Sequence, residues 1–264
     1  MEARNQVVVV TGAARGIGAA LCRRFVAEGA AAVVVSDRDA PAAAQLADEL
    51  GCVSIPCDVG AESEVQHLVE TTISQFGRID ILCSNAGITA SGGLDCSNSD
   101  WQRLWDVNVM SRLYAARAVI PQMLKQGAGY LIHTASAAGL LTEIGSAGYS
   151  VTKHADIAMA EWLSVCYGRQ GIRVSCVCPL GVDTDMLDNS DPIHRYLHLH
   201  RISPEAVAES VIEGMRTEQF LILPHPEVAE FFALKAEDRD RWLRGMQRLR
   251  QKLTREKKRG ADAA

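Results

Sequence analysis

One tyrosine and one lysine of this 264-residue chain, Tyr149 and Lys153, are spaced for proton transfer. Residues four apart on a helix share one face, so the ammonium group would lie near the phenol. A free phenol has a pKa of about 10, and a neighbouring cation favours its ionised form. The pair therefore predicts a general acid/base centre in which the cation lowers the phenol pKa. Taken singly, Tyr149 would be a half-buried aromatic residue and Lys153 a solvated charge.

Two polar residues, Asn108 and Ser136, precede this pair along the chain. Ser136 follows an apolar run and lies 13 residues before Tyr149. A hydroxyl group in that place can hydrogen-bond an oxygen on which charge develops. Considered alone, Ser136 would be a helix cap and Asn108 a helix kink. Their order ahead of the tyrosine and lysine indicates a catalytic site.

A glycine-rich turn directly follows the first apolar run of the chain. Its residues Gly12, Arg15, Gly16, Ile17 and Gly18 lie where a strand would end and a helix would begin. Glycines allow a tight turn and the close approach of a pyrophosphate, whose charge the free N–H groups of the helix start favour. A strand, a glycine turn and a helix in this order predict a dinucleotide-binding site.

Strand-like and helix-like runs alternate along the chain. Continuous apolar runs indicate strands that are covered on both faces. The alternation predicts an α/β fold, a Rossmann-type doubly wound parallel sheet of about seven strands. Strands are expected at residues 6–10, 31–36, 53–56, 80–84, 130–134, 173–178 and 219–223, and helices up to residue 28 and at residues 40–50, 62–76, 101–124, 149–167 and 204–216.

The C-terminal region differs from this pattern. Residues 241–259 contain nine lysines and arginines and one acid, while Trp242, Met246, Leu249 and Leu253 recur at helical spacing. We therefore expect one domain at residues 1–230 and an amphipathic helix with a basic tail at residues 231–264. A solvated helix that packs on the domain or on a neighbouring subunit is favoured over a patch for an anionic partner.

Composition excludes several partners. The chain is 48% hydrophobic with a formal charge of −5, which gives no reason to expect nucleic acid or an anionic membrane. Its apolar runs are too short to span a bilayer, and its N-terminus shows no signal region. The eight scattered cysteines fit reduced thiols, and neither Cys176 with Cys178 nor His198 with His200 has further ligands at metal spacing. No metal and a cytoplasmic location are expected.

The ordered motifs resemble those of the short-chain dehydrogenase/reductase family over residues 7 to about 220. The resemblance rests on the GxxxGxG spacing of the turn, on Asn85-Ala86-Gly87, and on Asn108 and Ser136 followed by the YxxxK pair. It implies hydride transfer between a nicotinamide cofactor and an alcohol or carbonyl. Tyr149 would be the general acid/base, Lys153 would also hold the nicotinamide ribose, Ser136 would bind the substrate oxygen, and Asn108 would hold a water of a proton relay.

The resemblance also assigns further cofactor contacts. Asp58 would bind the adenine amino group and Val59 would pack beside the base. In the loop after the sixth strand, bonds to the nicotinamide carboxamide would hold the cofactor, and Leu180 stands there in place of the usual first glycine. The full set of cofactor residues expected is Gly12, Arg15, Gly16, Ile17, Gly18, Asp37, Asp58, Val59, Asn85, Gly87, Tyr149, Lys153, Pro179, Val182 and Thr184.

The choice between NAD and NADP depends on Asp37, 19 residues after Gly18. A carboxylate there accepts hydrogen bonds from the adenosine ribose and repels a 2′-phosphate. Arg15, at a position where a basic residue often marks NADP in the family, and Arg38 favour the phosphate. We expect NAD, because a dianionic phosphate beside the carboxylate would be repelled.

The substrate region is less specific in sequence. Residues 183–203 are expected to form a mobile lid, and residues 91–99 and 138–146 the other pocket walls. Their mostly small and apolar composition favours a bulky secondary alcohol or ketone, such as a steroid, aryl or alicyclic compound. The alternatives are an NADPH-dependent carbonyl or ketoacyl reductase and a non-catalytic dinucleotide-binding protein. By resemblance, residues 101–124 and 149–167 would pair subunits in a homotetramer or homodimer.

Overall fold

The computed structural model describes residues 1–186 and 201–261, with side chains up to residue 255. Its centre is a parallel sheet with the strand order β3-β2-β1-β4-β5-β6-β7. The predicted fold class is confirmed. The strands are β1 Val7–Thr11, β2 Ala32–Ser36, β3 Val53–Ser54, β4 Ile81–Ser84, β5 Gly129–Thr134, β6 Ile172–Val177 and β7 Leu221–Ile222.

The helices follow the predicted alternation, with three differences. The predicted helix at 101–124 begins earlier and is interrupted by a π-helical turn, Asp106–Met110. A short helix after β5 and a helix before the basic one were not predicted. The helices are α1 Gly16–Ala27, α2 Ala40–Leu50, α3 Glu62–Phe76, α4 Asn98–Trp105, α5 Ser111–Gln126, α6 Ala138–Leu141, α7 Ala147–Tyr167, α8 Pro204–Arg216, α9 Glu227–Glu237 and α10 Arg239–Ala261.

The two edge strands are shorter than predicted. β3 ends at Ser54 and β7 contains only Leu221 and Ile222. An edge strand pairs on one side only, and Pro56 has no backbone N–H group with which to extend β3.

Two apolar cores cover the two faces of the sheet. Because side chains alternate along a strand, Val8 of β1 faces one core and Val9 the other. The first core contains Phe25 and other buried side chains of α1, together with side chains of α2 and α8. Met123 of α5 represents the second, which α3, α5 and α7 complete. Burial on both faces explains the continuous apolar runs of the sequence.

The sheet topology places a crevice at the carboxyl end of β1. β1 pairs with β2 on one side and with β4 on the other, so the chain order reverses there. Ligands of open α/β sheets bind at such a switch point. The loops after β1 and β4 touch, since a Cβ on Gly12 would lie 2.6 Å from the Cα of Ala86.

The C-terminal helices pack beside this carboxyl edge. Lys235 of α9 is buried, and its ammonium donates a hydrogen bond to the carbonyl of Leu140 in α6. α10 follows α9 after a one-residue break at Asp238. In the described part of the chain, no helix is long and apolar enough to cross a membrane.

Candidate active site

A cavity of about 840 Å³ lies at the carboxyl edge of the sheet. It brings together nearly all of the site residues expected from the sequence. Gly18 and Asn108 are not in its wall. Gly18 packs directly behind it, since a Cβ there would lie 2.1 Å from the Gly12 carbonyl oxygen, and Asn108 supports Gly87 from behind. The expected residues in the wall are Gly12, Arg15, Gly16, Ile17, Asp37, Asp58, Val59, Asn85, Gly87, Ser136, Tyr149, Lys153, Pro179, Val182 and Thr184.

The turn between β1 and α1 has the form that a pyrophosphate needs. Gly12 and Gly16 have φ values of 63° and 54°, which favour glycine. No side chain caps α1, and its first turn contains no acidic residue. Its N-terminal N–H groups are therefore available for an anion at the positive end of the helix dipole. The turn fits a dinucleotide phosphate.

Asp37 is held rigidly at the end of β2. One carboxylate oxygen accepts a hydrogen bond from the Ala14 N–H and the other from the Asp39 N–H, each at 3.0 Å. Lone pairs remain on both oxygens for ribose hydroxyl groups. Arg15 lies 3.4 Å from Asp39 and 3.5 Å from Asp185, so acidic neighbours already pair with its guanidinium.

Asn85 has a structural role in this wall. Its amide nitrogen donates to the carbonyls of Thr11 and Gly12 at 3.0 and 3.1 Å, which joins the loops after β4 and β1. Farther along the cavity, Val59 is buried, and the Asp58 carboxylate accepts a hydrogen bond from Gly60 at 2.9 Å. Both residues of the expected adenine end are thus in place.

A histidine that the sequence did not reveal holds the loop after β6. The Leu180 N–H donates to Nδ1 of buried His225 at 3.1 Å, so Nε2 carries the proton that is donated to the Gly181 carbonyl at 3.1 Å. Leu180 is not among the described residues with a positive φ, so leucine fits the backbone there. Pro179 accepts a hydrogen bond from the Ala137 N–H, which ties this loop to the segment after β5.

The two ends of the expected lid are joined to each other. Ile202 donates to the Gly181 carbonyl and accepts from the Asp183 N–H, both at 3.0 Å. The lid between these ends, residues 187–200, lies outside the described residues. Of the expected pocket walls, residues 138–146 line the cavity through Leu141 and Ile144, whereas residues 91–99 do not line it. Gly92 pairs instead with Ser146, at the end of the other expected wall.

Tyr149 stands in the first turn of α7 beside Ser136. The Ser146 hydroxyl caps this helix by accepting from the Tyr149 N–H at 3.1 Å. The Ser136 hydroxyl is close enough to the phenol to lower its pKa by hydrogen bonding. Lys153, one turn later, lies with Nζ 5.7 Å from the centre of the Tyr149 ring and donates to the Thr134 carbonyl at 2.8 Å. The four-residue spacing thus brings phenol and ammonium to one face, as expected.

The electrostatics of the pair correct one expectation. Burial raises the pKa of Tyr149 well above its ordinary value, and the hydrogen bond with Ser136 opposes this only in part. Burial and the charge of Arg112 lower the pKa of Lys153 to about 8, although Asp156 acts in the opposite direction. The phenol pKa is therefore raised rather than lowered as predicted. Desolvation is the dominant effect, because it disfavours both charged forms.

Asn108 lies fully buried in the π-helical turn. Its side-chain oxygen accepts from the Ile88 N–H, and its amide nitrogen donates to the Ile88 carbonyl, both at 2.9 Å. The same nitrogen donates to the Thr152 hydroxyl at 3.1 Å. Both amide protons are thus used to hold the loop after β4 against α7. π-helical turns often occur at functional sites, and this one sits behind Lys153.

A buried charged cluster under the site was missed in the sequence. The Asp156 carboxylate is hydrogen-bonded to His133 Nδ1 at 2.8 Å and to Arg112 Nε at 3.3 Å. It also lies 3.7 Å from Lys153 Nζ. Burial alone would raise the pKa of Asp156, but Arg112 and the His133 hydrogen bond lower it to about 2. A signal was available, because Arg112 follows Asn108 by four residues and Asp156 follows Lys153 by three, both in apolar helical stretches.

The C-terminal helices also line the cavity. Phe231 and Leu234 of α9 and Trp242, Met246 and Leu249 of α10 are in its wall. The helical spacing of α10 was visible in the sequence, and α10 packs on the domain through Trp242 and Leu253, with Arg241 and Arg248 also in the cavity wall. What that face contacts depends on the path of the chain from β7 back to the site.

Neither a disulfide nor a cluster of metal ligands is found among the described residues. All eight cysteines are free, and the Sγ atoms of Cys176 and Cys178 are 4.0 Å apart. Among the described residues, no three His, Cys, Asp or Glu side chains converge as metal ligands.

Comparison with known proteins gives one consistent result. The family model described as short chain dehydrogenase matches residues 6–193. The chain is 34% identical over 236 residues to 1-deoxy-11-beta-hydroxypentalenate dehydrogenase of Streptomyces exfoliatus, covering 86% of each. It is 33% identical over 218 residues to meso-2,3-butanediol dehydrogenase of Serratia marcescens, covering 79% of this chain and 86% of the relative.

A solved structure agrees with these matches. A short chain dehydrogenase/reductase of Burkholderia phymatum in complex with NAD has a TM-score of 0.84 at 28% identity, covering 91% of this chain and 96% of that one. The family expected from the motifs is confirmed. The chain belongs to the short-chain dehydrogenase/reductase family, NAD(P)-dependent oxidoreductases that act on alcohol and ketone groups.

Proposed function

We propose that this protein interconverts a secondary alcohol and a ketone with NAD, using Tyr149 as the general acid/base. One observation carries the proposal. Tyr149 and Ser136 line one cavity with the glycine turn and Asp37, and Lys153 Nζ lies 5.7 Å from the centre of the Tyr149 ring. A proton-transfer group and a dinucleotide turn facing one cavity are what hydride transfer to or from a carbinol carbon requires.

The protein's residues divide the work on the substrate oxygen. The nicotinamide ring, when bound, supplies the hydride acceptor or donor. Ser136 donates a hydrogen bond to the substrate oxygen and stabilises the charge that develops on it. Tyr149 takes the hydroxyl proton in alcohol oxidation and returns it in ketone reduction. Lys153 holds the cofactor ribose and, while charged, favours the ionised phenol.

Supporting residues keep these groups in position. The Asn108 side chain fixes the loop after β4, and its placement beside Lys153 is consistent with a proton relay to solvent. The loop of Pro179, Val182 and Thr184 lines the cavity beside the glycine turn, where a Cβ on Gly16 would lie 3.1 Å from the Thr184 methyl carbon. Rigid placement of this kind lowers the entropic part of the barrier.

The proposed cofactor is NAD rather than NADP. Two backbone N–H groups orient the Asp37 carboxylate toward the expected ribose position, where it would repel a phosphate. Arg15 pairs with Asp39 and Asp185, which draws its charge away from that position. Arg38 is exposed and, within residues 1–186 and 201–255, forms no ion pair with a carboxylate, so NADP is the second candidate.

The proposed substrate is bulky and mainly apolar. Leu141, Ile144, Leu180 and Met186 line the cavity around the catalytic residues. Two relatives are named for hydroxy compounds, a hydroxypentalenate and a butanediol, which supports a carbinol as the reacting group. A steroid, aryl or alicyclic alcohol fits these four side chains, which offer no partner for a desolvated charge; charged residues such as Arg103 and Glu143 line other positions of the cavity.

The test is the absorbance of reduced nicotinamide during incubation with a panel of secondary alcohols, with NAD and with NADP in parallel. We expect turnover with NAD for at least one bulky member. Binding of NAD by calorimetry without turnover of any alcohol, or of any ketone with NADH, would instead support the non-catalytic dinucleotide-binding alternative. Faster turnover with NADPH and a ketoacyl substrate would support the reductase alternative.

Assembly and location are also proposals. The segments expected to pair subunits, residues 101–124 and 149–167, correspond to the end of α4 with α5 and to α7. Trp105 is exposed at the end of α4, and Trp162 and Val165 are 56% and 83% exposed on α7. Exposed apolar side chains on two such helices support a homodimer or homotetramer. The cytoplasmic location rests on the composition and the free thiols. The boundary between a domain at 1–230 and an extension at 231–264 likewise stays a prediction, and α9 begins just before it at Glu227.

A further inference from the structure

The apolar face of α10 is turned toward the site that holds Tyr149. Trp242, Met246, Leu249 and Leu253 recur at spacings of four, three and four residues, and all line the same cavity as Tyr149. Leu243, next to Trp242 in sequence, is outside the cavity wall and is 49% exposed. The amphipathic pattern of this helix is therefore oriented by the cavity rather than by bulk solvent alone.

α9 connects this face to the catalytic segment. Phe231 and Leu234 project into the cavity from α9, and Lys235 anchors the helix by donating to the Leu140 carbonyl. Leu140 belongs to α6, which begins two residues after Ser136. Burial of an ammonium group is unfavourable unless its protons are hydrogen-bonded, so this bond favours the observed position of α9.

Phe231 and Trp242 also meet the core near the substrate end. Both are partly buried and pack against the same apolar cluster as Leu180, which stands in the loop at the expected nicotinamide end. The loop after β6, α9 and α10 thus each contribute an apolar side chain to the lining of one cavity. A ligand whose carbinol lies at Tyr149 would extend its apolar body along this wall.

We propose that α9 and α10 form the substrate-binding wall, and that Phe231, Trp242 and Met246 select alcohols with a large apolar body. This inference rests on the proposed function and adds that α9 and α10 are the helices that contact the substrate. The class of substrate is a secondary alcohol or ketone carried on a fused-ring or similarly extended apolar skeleton. Small alcohols would react without touching the wall.

The first test compares substrates of increasing size. Trp242→Ala and Met246→Ala are measured with cyclohexanol, 1-phenylethanol and a steroid with a secondary hydroxyl group, and Leu243→Ala is the matched control on the opposite face of α10. We expect kcat/KM for the steroid to fall about tenfold through KM, with cyclohexanol changed less than about twofold. Leu243→Ala should behave as wild type. An equal loss for all three alcohols would overturn the proposal.

The second test does not depend on turnover. Binding of the neutral apolar dye Nile red is measured by fluorescence without cofactor, for wild type, Trp242→Ala and Leu243→Ala, followed by displacement with the steroid. We expect weaker dye binding only in Trp242→Ala, and displacement from wild type. Unchanged dye affinity in Trp242→Ala would overturn the proposal.

The two tests separate this inference from the proposed function. If wild type oxidises none of the alcohols while dye binding still depends on Trp242, the proposed reaction is wrong, but α9 and α10 still form a wall that binds apolar ligands. A different outcome is that cyclohexanol is oxidised while Trp242→Ala forms a smaller assembly in light scattering and shows no dependence of kcat/KM on substrate size. In that case the apolar face of α10 is a subunit contact, and the proposed substrate-binding wall is wrong.

Discussion

Tyr149 keeps its proton at neutral pH, because burial disfavours a phenolate more than the neighbouring groups favour it. Such a tyrosine is ready to donate a proton in ketone reduction. For alcohol oxidation it must first lose that proton, and Lys153, with its pKa lowered to about 8, can share in this only while it is charged. The direction of the reaction and the pH are therefore coupled through two adjacent side chains.

The first prediction concerns the phenol oxygen. Tyr149→Phe should lower kcat by at least about a thousandfold, because the ring still fills its place but cannot transfer a proton. NAD affinity, measured by calorimetry, should change little. Tyr167→Phe, at the end of the same helix and outside the cavity, is the control. Near-normal turnover of Tyr149→Phe would exclude the phenol as general acid/base.

The second prediction concerns pH. In the oxidation direction, kcat/KM should rise with pH, because the raised pKa of Tyr149 means that only a small fraction is ionised at neutral pH. The rise should become shallower above a pH of about 8, where Lys153 loses the charge that favours the phenolate. Rates at saturating NAD from mildly acidic to alkaline pH would show this. A flat profile, with the protein still folded by circular dichroism, would contradict it.

The third prediction concerns Asp37. Asp37→Ala removes the carboxylate that repels a 2′-phosphate, so the ratio of NAD to NADP affinity should fall about tenfold or more. Calorimetry with both cofactors measures this ratio. Asp48→Ala, on α2 and outside the cavity wall, is the control. Equal wild-type affinity for both cofactors would mean that Asp37 does not set the preference.

At the scale of the elements, α5, α7 and β5 meet through buried charges under the site. Arg112, His133 and Asp156 each come from a different one of these elements and are at most 1% exposed. A buried ion pair contributes little net stability when complete, but loss of one partner leaves an unpaired charge. The cluster therefore fixes how the two long helices lie against the sheet beneath Lys153.

The fourth prediction is a double-mutant cycle on this cluster. Arg112→Met and Asp156→Asn should each lower the free energy of unfolding by about 3–5 kcal/mol, and the double variant by clearly less than the sum. Arg23→Met, in an exposed ion pair with Glu49, should cost at most about 1 kcal/mol. Urea denaturation at neutral pH gives these values.

The same carboxylate predicts an acid dependence. The folded pKa of Asp156 is lowered from 3.8 to about 2, so its contribution is fully present above pH 3.8 and is lost as the pH falls through about 2. Asp156→Asn should lack this part of the acid sensitivity. Additive losses in the cycle together with an unchanged acid dependence would show that Asp156 is not coupled to Arg112.

At the scale of the whole molecule, we expect a further subunit to pack against residues 101–124 and 149–167, where the exposed apolar side chains lie at the end of α4 and on α7. Val165 is 83% exposed and Trp162 is 56% exposed on α7, while α7 also carries Tyr149 and Lys153. Assembly through this helix would stiffen the element that aligns the catalytic pair. Oligomerisation and catalysis would then share one helix.

The fifth prediction tests that assembly. Wild type should scatter light as a dimer or tetramer at micromolar concentration, and Val165→Lys should shift the mass toward the monomer, because a charge would be buried at the two-fold contact. Leu94→Lys, at a fully exposed leucine outside α4 and α7, is the control. A monomeric wild type would contradict the prediction.

Sequence patterns alone determined the elements and the order of the site. Apolar runs, the glycine turn at Gly12 to Gly18 and the Tyr149–Lys153 spacing are local features, and local steric and hydrogen-bonding rules suffice to interpret them. The family and the parallel α/β sheet followed and are confirmed. The roles of the individual site residues remain predictions, although the structure gathers nearly all of them around one cavity.

Only the tertiary structure determined the burial, the pKa shifts and the long-range contacts of those residues. The raised pKa of Tyr149 comes from burial by segments far away in sequence, and burial cannot be judged from the four-residue spacing to Lys153. The contacts of His225 with Leu180 and of Arg112 with Asp156 join positions more than 40 residues apart. The sequence showed that α10 is amphipathic, but the path of the chain after β7 determines that its apolar face lines the cavity. Periodicity shows that a face is apolar, whereas its partner is set by long-range packing.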